Sequence, residues 1–235
     1  MEDPLQRSVA PIIHARFLSD CGQYDEALRV LEAVHLERQN TLGPDHPATV
    51  STVYRIGLVH LRQQNLSQAR AIFEGILQVH GRDDEVWVWL IYLVRMSLAL
   101  AQLERGDVAQ ALPALQHGFD HYCASDQIAR QAISEADTNL NLGRALLLSD
   151  HPQRALPLLQ RAVAVVHANH PKSPALASHR AWLGLCCLAL GDTAQARALA
   201  DLAQGALDAE PSAGIHYRRS LALLSEKLAA EPERG

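Results

Sequence analysis

One alanine returns through this 235-residue chain at a nearly constant step, and that step dictates what the chain can fold into. Ala27, Ala69, Ala111, Ala155 and Ala196 are separated by 42, 42, 44 and 41 residues. Each sits early in a similar segment: GQYDEALRVL, QNLSQARAIF, GDVAQALPAL, DHPQRALPLL and GDTAQARALA. Five near-equal steps over most of the length mark a repeat architecture, in which one supersecondary unit stacks on copies of itself. Twelve places before each alanine stands another small residue: Ala15, Gly57, Ala99, Gly143 and Gly184. Glycine inside a helix costs about 1 kcal/mol relative to alanine. Its return at one register therefore implies a packing reason, and close approach of two antiparallel helices, small residue to alanine, supplies one.

The turn before each second helix carries capping chemistry. Gln23, Asn65, Asp107, His151 and Asp192 stand at the candidate cap, and Glu26, Gln68, Gln110 and Gln195 occupy the third position of a capping box. Pro152 falls at a first helical position, where its missing N–H is harmless. Polar breakers separate the repeats at 43–49, 80–84, 123–126, 168–174 and 208–214. These signals predict an all-α chain forming a single domain over 1–235, with repeats at 8–49, 50–91, 92–135, 136–176 and 177–211. A helix over about 213–229, with Arg218, Arg219, Glu226 and Lys227 on one side, would cap the last of them.

The pattern resembles the tetratricopeptide repeat. Gly22-Gln23-Tyr24 followed by Ala27 carries the family's turn, and the phrase Leu42-Gly43-Pro44-Asp45-His46-Pro47-Ala48-Thr49 is similar to the loop of its kinesin-light-chain-like subtype. The 42-residue step and the segments Ala111-Leu112-Pro113-Ala114-Leu115 and Ala155-Leu156-Pro157-Leu158-Leu159 also resemble that subtype. Val108 and Thr193 replace the turn tyrosine in the third and fifth repeats. The resemblance covers residues 8–208. It implies a right-handed superhelical solenoid of five helix hairpins plus a capping helix, with a concave groove lined by the first helix of each pair. Relatives of this kind are scaffolds or peptide-binding modules. In bacteria such arrays are also attached to Ser/Thr kinases and transcription regulators.

Composition removes several alternatives. The net charge is −5, with only two lysines, Lys172 and Lys227, so no basic run exists to neutralise a nucleic-acid backbone. Cys21, Cys123, Cys186 and Cys187 form no CxxC pair and read as thiols of a reducing compartment; with no signal-peptide pattern at the start, a cytoplasmic location is expected. The apolar stretch 86–103 is interrupted by Arg95, Ser97 and Gln102, which argues against a membrane span and for the most buried helix of the array. His117, His121 and Cys123 have a spacing that zinc tolerates, but no HExxH and no third well-placed ligand accompany them. No phosphate-binding glycine loop, dinucleotide fingerprint or nucleophile elbow occurs. No enzyme activity, metal or cofactor is expected.

What remains is a binding surface. On the first helix of each pair, the face avoiding the small residue offers Val9, Ile12 and Arg16; Tyr54, Arg55, Leu58 and Arg62; Leu93, Met96, Leu100 and Glu104; Asp137, Asn141 and Arg144; and Ser178, Trp182 and Leu185. The candidate peptide- or partner-binding residues are Arg16, Tyr54, Arg55, Arg62, Met96, Asn141, Arg144 and Trp182. Met96 would take an apolar anchor. The arginines would pair with carboxylates through bidentate hydrogen bonds. By the resemblance, Asn141 stands where the kinesin-light-chain-like groove carries an asparagine. The leading expectation is a protein-interaction scaffold holding a peptide or partner segment. The alternative is a regulatory, sensing or oligomerisation module of a larger bacterial signalling protein. The first helix opens almost at Met1 without a polar cap, which fits a boundary inside a longer chain. The run 86–94, with Trp87 and Trp89, raises a homodimer patch as a third possibility.

Overall fold

The five turns ahead of the recurrent alanines set the architecture. The computed structural model describes residues 4–80, 85–124 and 132–230. Among them the chain is helical throughout, in two compact units, Met1–Asp107 and Val108–Gly235. The first unit holds α1 (Pro4–Arg7), the hairpin α2 (Val9–Asp20) and α3 (Tyr24–Leu42), the hairpin α4 (Pro47–Arg62) and α5 (Leu66–His80), and α6 (Glu85–Glu104). The second begins with α7 (Val108–Ala124) and continues through the hairpins α8 (Ala132–Leu148) with α9 (Pro152–Asn169) and α10 (Ala175–Ala189) with α11 (Thr193–Asp208) to α12 (Ile215–Ala230). Four helix pairs, α2 with α3, α4 with α5, α8 with α9 and α10 with α11, lie each within one unit, and the boundary between the units falls between α6 and α7.

Gly22, Gln64, Gly106, Asp150 and Gly191 all have φ between 61° and 85°. The next residue's N–H then reaches back to the carbonyl five places earlier: Gln23 to Leu18 (2.8 Å), Asn65 to His60, Asp107 to Gln102, His151 to Leu146 and Asp192 to Cys187 (each 2.9 Å). This is the Schellman closure, which satisfies carbonyls that a helix end would otherwise leave unpaired. Three of the five turns use glycine, for which the left-handed region is free; Gln64 and Asp150 adopt it against the Cβ penalty of about 1–2 kcal/mol. The caps are less uniform than expected. Asp192 Oδ1 accepts the Gln195 N–H at 3.0 Å, whereas Gln23 and His151 make no side-chain cap. Before α4, His46 Nδ1 accepts the Ala48 N–H at 3.2 Å, and its extended backbone suits the following Pro47.

All five recurrent alanines are fully buried, but the small residues opposite them serve a different partner. A Cβ built on Gly57 would lie 2.6 Å from Phe73 Cε1, and one on Gly143 would lie 2.8 Å from Leu159 Cδ2. Phe73 and Leu159 stand one turn beyond Ala69 and Ala155. The glycine is a socket for that large side chain, and the alanine contributes through its backbone: the Ala155 carbonyl oxygen would be 3.5 Å from the Gly143 Cβ. The expected close approach of the alanine is thus made through its backbone, and the large side chain one turn on fills the gap. In the fifth pair the equivalent of Phe73 is Ala200, too short to fill the socket. Leu224 of α12 fills it instead, with Cδ2 2.6 Å from a Cβ on Gly184. The capping helix therefore plugs the last hairpin with a fully buried leucine.

Among the described residues, α10 rather than α6 is the most enclosed helix. Every residue from Ala181 to Cys187 is buried, because α9, α11 and α12 all pack on it, while α6 leaves Arg95 and part of Trp89 exposed. Burial pushes the Cys186 thiol up to about 11, in keeping with a core residue. Pro113 and Pro157 lie on exposed faces of α7 and α9, and both helices run through them.

Gly57→Ala is expected to lower stability by about 1–3 kcal/mol, since Phe73 has no room to yield. Gly75→Ala in the next helix, with open space around its Cβ, should raise it by up to about 1 kcal/mol. Gln64→Gly, which removes the left-handed penalty, should also stabilise by about 1 kcal/mol. Urea unfolding of the three variants checks all three signs.

Candidate functional site

The seam between α2 and α4, the first helices of the first two pairs, is polar and cationic. At one end it is closed by Arg38 of α3, which follows Ala27, Leu31 and Val34 on the buried stripe of that helix. Arg38 Nε and Nη2 donate to Ser8 Oγ at 3.1 and 2.7 Å, and Nη1 donates to the Ala48 carbonyl at 2.7 Å and Thr52 Oγ1 at 3.0 Å. All four bonds go to neutral oxygens. Burial lowers the pKa of Arg38, the Arg55 charge lowers it further, and Glu37 offsets part of this. At the other end Arg62 Nη1 meets Asp20 Oδ1 at 3.0 Å and Ser19 Oγ at 2.9 Å.

Arg16 and Arg55 lie between those two closures. Arg55 follows Thr52 by three residues on α4 and so shares its face. Its Nε is shielded from solvent and has no acceptor, and Arg55 makes no ion pair among the described residues. Burial lowers its pKa; Tyr54 raises it, and the neighbouring Arg16 lowers it. Arg16 is exposed. Of the guanidinium groups along this seam, only Arg62 has a carboxylate in contact among the described residues. A buried donor without an acceptor is costly, about 1–3 kcal/mol, so an oxyanion arriving at Arg55 gains a charge-assisted bond without breaking an existing one.

The remaining predicted residues divide by environment. Tyr54 is buried, and its hydroxyl lies 3.2 Å from Ser97 Oγ, tying α4 to α6; Met96, next to Ser97, is half-buried. Leu58, Leu93 and Leu100 are partly buried against the core formed by Val50, Phe73, Ile91 and Val94, so packing claims much of the expected apolar centre. In the second unit, the Arg144 guanidinium carbon sits 4.5 Å over the Trp182 ring, and both side chains are buried. This cation–π stack holds α8 to α10. Asn141, half-buried, lies one turn before Arg144. The first unit thus brings Arg16, Tyr54, Arg55, Arg62 and Met96 onto neighbouring helices, and the second pairs Arg144 with Trp182. Among the described residues no group of three His, Cys, Asp or Glu side chains is placed to hold a metal, and no helix is long and apolar enough to cross a membrane.

Sequence reasoning passed over Arg38 and His179. Arg38 is legible in retrospect from the 4, 3, 4 spacing of its stripe. His179 is almost fully buried on α10; its Nδ1 lies 2.8 Å from the Ala175 carbonyl, which makes it the donor and leaves Nε2 as a buried acceptor without a partner. Burial lowers its pKa to about 4; the bond to Ala175 opposes this and the Arg144 charge adds to it. The neutral ring is the folded form. Its contribution is intact above pH 6.5 and is lost as pH falls from there toward 4, by about 3 kcal/mol in all. His179→Gln is therefore expected to lose less melting temperature than wild type between pH 7.5 and 4.5. Thermal denaturation at the two pH values reads the difference.

Two sequence profiles of the tetratricopeptide repeat match this chain, one over residues 9–79 and the other over 54–117 and 140–211. Comparison with curated protein sequences gives no match. Among solved structures, the chain is similar to the nearly identical TPR-like repeats of a Podosopora anserina putative kinesin light chain. The identity is 21%, the match covers 88% of this chain and 97% of that one, and the TM-score is 0.59. It is also similar to Bacillus thuringiensis PlcR in complex with the peptide PapR7 and DNA (12% identity, 98% of this chain, 77% of that one, TM-score 0.69). NprR in complex with its cognate peptide NprX matches at 16% identity, over 99% of this chain and 65% of that one, with a TM-score of 0.68. With the repeat register, the turns and the sockets already in place, the chain belongs to the tetratricopeptide repeat family.

Proposed function

We propose that the chain is a protein-interaction module that holds a peptide or partner segment along the first helices of the pairs in its first unit, with carboxylates of that segment at Arg16 and Arg55. The observation that carries this reading is Arg55: a half-buried guanidinium whose Nε has no acceptor, beside an exposed second arginine, on a seam whose carboxylate is already bound to Arg62. Half-buried Met96, on the helix joined to α4 through Tyr54 and Ser97, is the apolar neighbour such a segment would meet. The peptide complexes of PlcR and NprR, which share the fold over nearly all of this chain, support a peptide as the ligand. Arg144 and Trp182 enter this reading as the stack that fixes α8 on α10 rather than as open contacts. The module needs no chemistry of its own, and the reading assigns none.

The test is a library of fluorescent 12-residue peptides combining one large apolar residue with two or three Asp or Glu. Binders to wild type should lose at least tenfold in affinity for Arg16→Gln/Arg55→Gln. Arg16 is exposed and Arg55 unpaired, so circular dichroism should be unchanged. Equal affinity for the two proteins would remove the reading.

A further inference from the structure

Three guanidinium groups follow one another along the seam between α2 and α4 with no carboxylate in contact among the described residues: Arg38, Arg55 and Arg16. They are near enough to feel each other. The Arg55 charge lowers the pKa of Arg38, and the Arg16 charge lowers that of Arg55. Glu37 offsets part of the charge at Arg38, and Asp20 is taken by Arg62. The seam therefore carries more than one uncompensated positive charge.

The donors are shared out unequally. Arg38 spends Nε, Nη1 and Nη2 on Ser8, Ala48 and Thr52, so it lends the seam charge but not an open fork. Arg55 Nε is shielded from solvent without an acceptor, and Arg16 is exposed and makes no hydrogen bond or ion pair among the described residues. Two neighbouring planar forks are thus open. A carboxylate brings one negative charge and two oxygens, which serve one fork. A phosphomonoester brings about 1.5–2 negative charges at neutral pH and three oxygens, which can bridge two. The cations of the seam are all arginine, in a chain with two lysines, and arginine's fork matches phosphate bidentately where an ammonium is a point charge. The positive charge is also local. The chain as a whole carries −5, so a long polyanion meets repulsion beyond the seam and a single phosphoryl group does not.

We propose that the group seated between Arg16 and Arg55 is a phosphoryl group on a serine or threonine of the partner segment, so that the module reads the phosphorylation of its partner. This rests on the peptide-binding reading above and narrows its ligand.

The test uses a set of 12-residue peptides with one large apolar residue at varied distance from a central phosphoserine, glutamate or serine, otherwise free of acids. Fluorescence anisotropy gives affinity, and phosphorus NMR follows the phosphoryl group. The best phosphoserine peptide should bind at least tenfold more tightly than its glutamate counterpart, with a saturable phosphorus shift. Arg16→Gln/Arg55→Gln should abolish that advantage. Arg29→Gln/Arg197→Gln, which removes two exposed arginines elsewhere, should keep it. Phosphoserine capped as a single residue should bind at least tenfold more weakly than the peptide. Equal affinity for phosphoserine and glutamate peptides, both lost in the Arg16/Arg55 variant, would overturn the proposal and leave the acidic-segment reading standing. Absence of binding by all three peptide types at millimolar concentration would remove both. An advantage kept in the Arg16/Arg55 variant, or lost equally in the Arg29/Arg197 variant, would also overturn it. So would single-residue phosphoserine matching the peptide, which would assign the seam to a small phosphorylated metabolite.

Discussion

The fit of one large side chain into the gap left by a missing Cβ is the contact on which this structure turns. Phe73 over Gly57 and Leu159 over Gly143 bring the two helices of a pair close enough for the recurrent alanines to be sealed from solvent. The left-handed turns fix the direction in which each second helix leaves, and the socket fixes how near it returns. Fully burying a phenylalanine or leucine is worth about 1.5–3 kcal/mol, and the fit occurs within two of the pairs. Where the fifth pair lacks the large residue, α12 supplies Leu224 from outside. The capping helix thus does more than cover an apolar end: it completes the interior of the hairpin it covers.

Much of this was legible in the sequence because repetition amplifies weak signals. A single glycine in a helix says little, but a small residue at one register in five segments identifies the packing side of each first helix. The turns were legible for the same reason; that Gln64 and Asp150 share the left-handed backbone of Gly22, Gly106 and Gly191, with which they align, came from the structure. The partner of the socket was not legible. Periodicity places two helices side by side, but whether a gap receives a methyl group or a ring one turn further on depends on the tilt between them. The burial of α6 was overestimated because hydropathy counts apolar residues and not the neighbours able to cover them.

The candidate site was half legible. Choosing one face of each first helix found Arg16, Arg55 and Arg62 together, since that face is set by the 3.6-residue period. Separating them required their partners. Arg62 meets Asp20 across the seam and Arg144 stacks on Trp182, whereas Arg16 and Arg55 have no carboxylate in contact among the described residues. Arg38 escaped notice because charged residues are read as exposed, although its position on the Ala27–Leu31–Val34 stripe placed it inside. Its hydrogen bonds go to neutral oxygens, so it adds to the seam a charge that Glu37 offsets only in part.

A cationic seam with one guanidinium held partly out of water is prepared for an anion before any arrives, which reduces what binding must reorganise. The side-chain Nε–Hε resonance of Arg55 reports this directly. During titration with an acidic peptide it should move in a saturable way, in step with peptide binding, and an otherwise identical peptide with glutamine for glutamate should leave it in place. An acidic peptide that binds the chain while the Arg55 resonance stays fixed would contradict the account.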